Sequence, residues 1–214
     1  FGLAYQADGK TIAVGLANPS GDAALARYLS DGSLDDAFGT DGEVLIDLTG
    51  GADRLRAVQV QPDGKIVAVG QAEVGGQDDA LLMRLHPDGK LDTDFGDDGI
   101  VTTDFHGFDD LFRDMALQSD GKIVVAGRQT EADGTTTRFT VFRFHPDGSP
   151  DAAFGTGGAV VVDFTGLSAA ATGIALQADG KIVAGGTTET GAGGRSTRAF
   201  ALARLHPDGT LDTS

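Results

Sequence analysis

One ten-residue stretch recurs four times along the 214 residues of the chain, and this internal repetition constrains the fold more than any other feature. In the second copy it runs from Gln61 to Gly70 and reads Gln-Pro-Asp-Gly-Lys followed by an apolar run that ends in glycine. The lysines of the four copies, at intervals of 55, 57 and 59 residues, are Lys10, Lys65, Lys122 and Lys181. The repeating unit is therefore close to sixty residues long.

Two further anchors recur in step with the lysine. An arginine in an apolar run appears in each copy, as Arg27, Arg84, Arg143 and Arg204. A Leu-Asp-x-x-Phe-Gly pattern follows it at Leu34 and Leu91, with proline replacing leucine at Pro150, and begins again at Leu211. We predict one repeat domain over residues 1–214, with units near 1–48, 49–105, 106–164 and 165–214, the last incomplete.

Each unit is predicted to contain four strands. In the second unit they run from Arg56 to Gln61, Ile66 to Val69, Ala80 to Leu85 and Ile100 to Phe105, which are rich in β-branched and apolar residues. A Pro-Asp-Gly between the first two predicts a hairpin turn with Gly64 in the left-handed conformation. Several strands, including Ile123 to Ala126 and Val160 to Val162, are apolar at consecutive positions, which indicates burial on both faces.

The spacing between anchors shows where the copies differ in length. The distance from the lysine to the arginine is 17, 19, 21 and 23 residues in successive copies. Steps of two lengthen a hairpin without turning its side chains to the opposite face. All length variation is therefore predicted at the tip between the second and third strands.

Four-stranded antiparallel units of this length, with no helix between them, predict an all-β fold of about four β-propeller blades. Because Phe1 lies inside a repeat, we expect the native N-terminus upstream and the chain to form an arc of a larger ring or a homo-oligomeric ring. We also expect the outer edge of the last blade to be unpaired unless a partner fills it, so self-association or strand pairing at this edge is predicted.

The formal charge of −16 argues against a nucleic-acid partner, which would require lysine and arginine at the phosphates. The acids are 28 Asp against four Glu, a bias typical of turns. No apolar run is long enough to insert into a membrane, and the absence of cysteine excludes disulfides and thiolate chemistry.

The combined pattern L-D-x-x-F-G-x-x-G, V-x-x-D-F, A-L-Q-x-D-G-K-I-V-x-x-G and R-x-H-P-D-G resembles the delta-sixty repeat family of bacterial β-propellers. The resemblance covers nearly the whole chain, with Leu29-Ser30 replacing His-Pro as a minor departure. It implies a secreted or cell-surface protein of bacterial origin. The family supplies no catalytic residues to transfer to this sequence.

One loop has the composition of a cation site. Asp92, Asp94, Asp97 and Asp98 offer hard oxygen ligands that would suit Ca²⁺, and no other cofactor is expected. The alternative is that the repeated Asp92 bonds nearby backbone amides in an Asx turn. The loop lacks the D-x-D-x-D-G spacing, and three of its acids, Asp94, Asp97 and Asp98, have no acidic counterpart in the third copy, which favours the turn.

Two other repeated polar series have structural and functional interpretations. His86, His145 and His206 each precede Pro-Asp-Gly. Three histidines in different blades could suggest a metal site, but equivalent blade positions lie far apart, so we expect these side chains to pack at turns. Asp47, Asp104 and Asp163 end the fourth strand. We expect them to bond backbone or to pair with a repeated arginine such as Arg84, although a carboxylate there could also line a central channel or act as an acid.

The copies differ most in two sets of loops expected on one face of the blades. These are the hairpin tips near 18–21, 73–78, 131–137 and 189–197 and the loops that enter strand one, near 49–54, 106–111 and 165–170. Variable loops on a rigid scaffold are a usual location for binding, although the variation could also be unconstrained. The candidate ligand-face residues are Asp53, Arg54, Glu73, His106, Asp109, Asp110, Glu131 and Glu189.

These features predict a non-enzymatic binding or scaffolding module whose ligand is a glycan or a protein. The alternative is a propeller hydrolase or lyase with its site at the channel mouth, for which His106, Asp109 and Asp110 are the nearest candidates. A purely structural spacer is the third possibility.

Overall fold

The computed structural model describes residues 1–17, 21–48, 50–164, 168–190 and 197–214, and every regular element in these ranges is a β-strand. The fifteen strands are β1 (Gly2–Tyr5), β2 (Thr11–Leu16), β3 (Ala23–Tyr28), β4 (Glu43–Ile46), β5 (Arg54–Val60), β6 (Ile66–Val74), β7 (Gln77–Leu85), β8 (Ile100–Thr103), β9 (Leu111–Leu117), β10 (Ile123–Thr130), β11 (Thr137–Phe144), β12 (Ala159–Val162), β13 (Ala169–Leu176), β14 (Ile182–Thr190) and β15 (Thr197–Leu205). The predicted all-β class is confirmed.

The strands form four separate antiparallel sheets, each made from consecutive strands. β1–β4, β5–β8 and β9–β12 are four-stranded, and β13–β15 form a three-stranded sheet. Each sheet contains one copy of the repeat, and sequential antiparallel strands of this kind are the blades of a β-propeller. The sheets are called the first to fourth blades below.

The second blade shows where the predicted strand ends were wrong. β6 and β7 continue through polar residues to the pair Val74–Gln77, so both extend further towards the hairpin tip than predicted. Gly75 and Gly76, with φ of 63° and 90°, form the two-residue connection. The polar residues near the tip have low strand propensity, but backbone pairing along the hairpin keeps them extended.

The predicted Asp-Gly-Lys turns are confirmed. Gly64 has a φ of 86°, and Gly9, Gly121 and Gly180 have values between 83° and 87°. In the second blade the Gly64 amide donates to the Gln61 carbonyl, and the Gln61 amide donates to the Lys65 carbonyl. A side chain at this φ would be strained, because L-residues disfavour the left-handed region.

The strand register is the same in all four blades despite the different hairpin lengths. The residue two positions after the lysine pairs with the repeated arginine, as Ile12–Arg27, Val67–Arg84, Val124–Arg143 and Val183–Arg204. Length changes in steps of two therefore preserve which side chains face the core, as predicted.

The chain divides into two compact units, Phe1–Thr103 and Asp104–Ser214, each containing two blades. In the first unit the core includes Leu25, Leu55 and Met83. In the second unit it includes Phe139, Phe154 and Ile182. Ile123–Ala126 is buried throughout, which confirms that this strand is covered on both faces. The same prediction was wrong for Val160 to Val162, because β12 is the edge strand of its sheet and Val161 is 45% exposed.

The last strand, β15, pairs with β14 and with no other strand among the residues placed in the structure. Phe200 and Leu202 on β15 are 99% and 71% exposed, whereas their counterparts in the third blade, Phe139 and Val141, are fully buried. Association through this edge stays a prediction. In the placed ranges no helix is long and apolar enough to cross a bilayer.

Candidate functional site

The three sequence anchors meet in one ionic cluster around a buried aspartate in every blade. In the second blade Asp92 Oδ2 lies 2.8 Å from Lys65 Nζ and 2.5 Å from Arg84 Nε, and the Asp92 side chain is 1% exposed. The equivalent pairs are Lys10–Asp35 and Arg27–Asp35, Lys122–Asp151 and Arg143–Asp151, and Lys181–Asp212 and Arg204–Asp212. The most strongly repeated residues therefore form scaffold.

The repeated arginine also joins neighbouring blades within a unit. Arg27 Nη1 donates to the Pro87 carbonyl oxygen of the second blade at 2.5 Å, and its guanidinium lies 4.6 Å from the centre of the Phe38 ring. Arg143 likewise donates to the Pro207 carbonyl of the fourth blade. The His-Pro-Asp-Gly turn of one blade thus accepts a hydrogen bond from the preceding blade.

The predicted pairing of Arg84 with the Asp104 series was wrong, because the return loop after β7 brings Asp92 back to Arg84 instead. The alternative role, bonding backbone, is confirmed for Asp47, which accepts from the Gly50 amide at 2.6 Å, and for Asp104, which accepts from the Gly107 amide at 2.5 Å. Asp163 lies 3.8 Å from Arg138.

The proposed cation loop is an Asx turn in the structure. Asp92 Oδ1 accepts from the Asp94 amide, while its other oxygen is held by Lys65 and Arg84. Asp97 bonds Ile100 through its backbone. Within the placed part of the chain, no group of three or more His, Asp or Glu side chains could hold a metal ion, so the Ca²⁺ hypothesis for Asp92, Asp94, Asp97 and Asp98 gains no geometric support.

The repeated histidines pack against the same cluster, as expected for turn residues. His86 Nε2 lies 3.6 Å from Asp92 Oδ1, and His145 Nε2 lies 3.7 Å from Asp151 Oδ1. Each histidine belongs to the cluster of its own blade, so these side chains form scaffold.

Acid should weaken these clusters. Burial raises the pKa of Asp92 and of Asp151, but hydrogen bonds from the lysine and arginine outweigh it and lower each pKa to about 2, from an ordinary value of 3.8. Because the folded pKa is the lower one, this stabilisation is present above about pH 4 and is lost as the pH falls towards about 2. We expect the free energy of unfolding, measured by urea titration, to decline over that interval; constant stability across it would contradict this assignment.

Two of the predicted ligand-face acids have structural roles instead. Asp53 is fully buried and Oδ2 accepts from the Leu48 amide at 2.8 Å; burial raises the pKa of this carboxyl. Asp110, its equivalent in the third blade, is also fully buried and accepts from the Phe105 and Thr130 amides at 2.8 and 2.7 Å. Both carboxylates therefore hold the loop that enters strand one.

The other predicted ligand-face residues are spread over separate loops. Arg54 and His106 are exposed, and the His106 amide donates to Asp104 Oδ1 at 3.1 Å. Glu73 Oε2 accepts from the Ala52 amide, and Glu131 pairs with Arg138 at 2.9 Å. Asp109 is exposed and its carbonyl accepts from the Thr130 hydroxyl. Residues 18–20, 49, 165–167 and 191–196 of the predicted loops lie outside the described ranges.

One predicted residue, Glu189, lines a cleft at the hairpin-tip end of the third and fourth blades. The cleft has a volume of about 290 Å³. It is lined by Arg113, Arg128, Thr137, Ser168, Ala169, Ala170, Thr172, Thr187, Glu189 and Arg198. Eight of these residues have polar side chains, which supply three guanidinium groups, four hydroxyls and one carboxylate.

A β-bulge positions Arg113 in this cleft. In the pairing of β9 with β10, Asp114 lies opposite Ala126 and Phe112 opposite Gly127, so Arg113 is the extra residue. Bulges of this kind redirect a side chain and are frequent beside binding sites. Gly127 permits the close approach of β9, because a Cβ atom there would lie 2.2 Å from the Leu111 carbonyl oxygen.

In the second blade the side chains at the equivalent positions form hydrogen bonds with one another. Arg56, at the corresponding bulge, donates from Nε to Gln71 Oε1 at 3.0 Å, and the Gln71 amide donates to Asp78. In the third blade the corresponding residues are Arg113, Arg128 and Thr137. The fourth blade has Thr172, Thr187 and Arg198 at these positions. The cleft therefore joins two copy-specific versions of one repeated triplet.

Within the described ranges, Arg113 and Arg128 lack the side-chain acceptors that the equivalent arginine has in the second blade. The Nε atoms of both side chains are buried and have no hydrogen-bond partner among the described residues. Burial, and then the nearby charge of Arg128, lower the pKa of Arg113. Neither arginine was predicted from the sequence, because both lie in strands rather than in the variable loops; alignment of the repeats nevertheless shows Arg, Arg and Thr at the first position and Gln, Arg and Thr at the second.

A second cavity, of about 570 Å³, is lined by residues of the first unit, including Thr40 and Lys90 in turns and Glu43 at the start of β4. Gly89 at its edge approaches the Gly39 amide and the Phe38 ring, and Gly209 approaches Gly155 and Phe154 in the same way. This cavity is thus formed by scaffold contacts that recur between blades, and it is a weaker candidate than the cleft.

A family profile described as a domain of unknown function (DUF5122) β-propeller matches residues 6–38, 61–95, 118–154 and 177–214. The chain belongs to this family. The four matches contain the four ionic clusters. No curated protein matches the sequence.

Several solved structures are similar to this chain at low sequence identity. A GH43_12 protein from a capybara gut metagenome is 8% identical with a TM-score of 0.53, covering 99% of this chain and 40% of that one. A Bacteroides caccae protein of unknown function is 10% identical, with a TM-score of 0.49 and coverage of 98% and 78%. A streptogramin B lyase is 12% identical, with a TM-score of 0.49 and coverage of 99% and 67%. The similarity at these identities concerns the fold alone.

Proposed function

We propose that this β-propeller module is a non-enzymatic binding module of a bacterial secreted or cell-surface protein, and that it binds a glycan in the cleft between the third and fourth blades. The observation that carries the proposal is the copy-specific lining of this cleft. The repeated residues account for the scaffold, whereas the arginines and threonines of the cleft occupy positions that vary from copy to copy, as at Arg128 and Thr187. Bacterial origin and location rest on the sequence resemblance.

The chemistry of the lining favours a glycan over a protein surface. Thr137, Ser168, Thr172 and Thr187 supply hydroxyl groups, and no aromatic side chain is among the lining residues described. Protein interfaces are also rich in arginine, but their buried centres generally include aromatic anchors as well. The volume of about 290 Å³ lies near the lower limit of small-molecule sites, which suits one end or one unit of an oligosaccharide.

The acids near this face support binding rather than glycoside hydrolysis, which normally requires two carboxyl groups across one bond. Glu189 is the single acid among the cleft residues described. Asp110, one of the candidates for the enzyme alternative, is buried and bonded to backbone amides. A catalytic pair is therefore not assembled from these residues.

A glycan array tests this function with two matched variants. Thr187→Trp adds a bulky side chain at an exposed residue of the cleft, and Thr102→Trp adds the same side chain at an exposed residue of β8. We expect the wild-type protein and Thr102→Trp to bind the same glycans and Thr187→Trp to lose them. An array without any bound glycan would favour the spacer role, and release of shortened sugars from a bound glycan would favour the enzyme.

A further inference from the structure

We propose that Arg113 and Arg128 bind the carboxylate of an acidic sugar, so that the ligand of the cleft is a uronic-acid-containing oligosaccharide. This inference rests on the proposed function and specifies its ligand class. Three observations support it. The two arginines have buried donors without a hydrogen-bond partner among the described residues, whereas the equivalent residues of the second blade bond one another. Hydroxyl groups surround the two arginines in the cleft.

The two arginines have donors that the described part of the chain does not satisfy. Both Nε atoms are buried without a hydrogen-bond partner among the described residues, although acids outnumber bases by 32 to 16 in the whole chain. An unpaired buried donor costs free energy, and two adjacent guanidinium groups also repel each other. An anion between them would satisfy the donors and remove the repulsion.

The second blade shows that the fold does not require this arrangement. There, Gln71 accepts from Arg56 and donates to Asp78, which closes the chain of hydrogen bonds within one blade. The third blade has arginine in place of the glutamine and threonine in place of the aspartate, at Arg128 and Thr137. The first change removes an amide acceptor and the second removes a carboxylate. In the second blade the charge of the arginine is balanced by the aspartate of the same triplet, whereas the triplet of the third blade contains two arginines and no acid.

The surrounding groups suit a sugar acid in particular. A guanidinium group binds a carboxylate through two parallel N–H donors, which fixes its orientation. The hydroxyls of Thr172 and Thr187 line the same cleft from the adjacent blade and can bond the ring hydroxyls of a sugar. Glu189 and Arg198, paired directly across β14 and β15, bound the cleft on the side of the fourth blade.

Isothermal titration at low salt tests the inference with defined probes. These are a trimer of galacturonic acid, the neutral galactose trimer with the same linkage, inorganic phosphate and a short glutamate peptide. We expect the acidic trimer to bind, the neutral trimer to bind at least about tenfold more weakly, and phosphate and peptide to bind more weakly than the acidic trimer. Binding should weaken with added salt, which screens charge.

The repeat copies supply substitutions that a blade is known to accommodate. Arg128→Gln introduces the residue of the second blade, and Arg113→Thr introduces that of the fourth. Each should reduce affinity for the acidic trimer at least about tenfold, the loss expected for a charge-assisted hydrogen bond. Arg54→Gln, which removes an exposed arginine in another blade, changes the net charge equally and should leave the affinity unchanged.

Thermal unfolding of the same variants separates binding from folding. In Arg128→Gln the new glutamine would be able to accept from Arg113, as Gln71 accepts from Arg56 in the second blade. The melting temperature of this variant should therefore equal or exceed that of the wild type. Equal affinity of Arg128→Gln and wild type for the acidic trimer, or equal affinity of the wild type for phosphate or peptide, would overturn the inference. The wider binding function would then still be judged by the glycan array with Thr187→Trp.

Discussion

Replacing Asp92 by alanine is expected to lower the free energy of unfolding by about 3–5 kcal/mol, the cost of breaking a buried ion pair from one side. The Asp92 carboxylate is 1% exposed and bonds Lys65 and Arg84 through the same oxygen. Its removal takes this partner from Lys65, which is partly exposed, and from Arg84, which is nearly buried. Chemical unfolding of the purified protein, followed by circular dichroism, measures the loss.

The matched control is Asp94→Ala in the same loop. Asp94 is exposed, and its backbone amide rather than its carboxylate bonds Asp92, so its replacement should change stability by less than about 0.5 kcal/mol. Should Asp92→Ala fail to fold, the conservative variant Asp92→Asn provides the comparison, since it retains an acceptor and loses the charge. Equal stability of Asp92→Asn and Asp94→Ala would show that the cluster does not stabilise the blade.

Replacing Gly186 by alanine is expected to destabilise the protein by about 2–3 kcal/mol through overpacking. A Cβ atom at this position would lie 2.0 Å from the Ala170 carbonyl oxygen of the neighbouring strand β13. The neighbouring atom belongs to the backbone, so relief requires a strand to move. The bulge at Thr172, between Ala171 and Gly173, lies beside this contact and contributes to the cleft, so ligand affinity should fall as well.

The adjacent glycine provides the control for this prediction. At Gly185 a Cβ atom would meet Leu202 Cδ1 at 3.7 Å, an ordinary van der Waals distance, and the backbone is not in the left-handed region. Gly185→Ala should therefore leave stability unchanged or raise it slightly, because glycine is unfavourable within a strand. A thermal shift assay that finds the two variants equally stable would contradict the close approach of β13 and β14.

The fold could be predicted from the sequence because each turn and strand signal occurs in four copies of the repeat. The Asp-Gly-Lys turns require glycine at a positive φ, and the steps of two in hairpin length require a constant register; both were found. The partner of Arg84 could not be predicted in the same way. Two repeated aspartate series were available, and the spacing alone does not show that the chain turns back at Leu91 to place Asp92 beside Arg84.

The candidate site was predicted less well, for a physical reason. Acidic loop residues such as Asp53 and Asp110 resemble ligand-binding groups, but a loop that enters a blade must satisfy its own backbone amides, and these carboxylates do so. Arg113 and Arg128 lie in strands, where side chains usually serve the core. The bulge directs Arg113 into the cleft, and a bulge cannot be identified from the apolar pattern of one copy.

The most direct test of the account is a nuclear magnetic resonance titration of the ¹⁵N-labelled protein with the oligosaccharide that binds best. We predict that the amide signals that shift belong to the cleft, including those of Arg128, Thr172 and Thr187, while the signals of the repeated turns at Gly64 and Gly121 stay in place. Shifts confined to those turns, or no shifts at ligand concentrations that saturate binding, would contradict the division of this chain into a repeated scaffold and one copy-specific binding cleft.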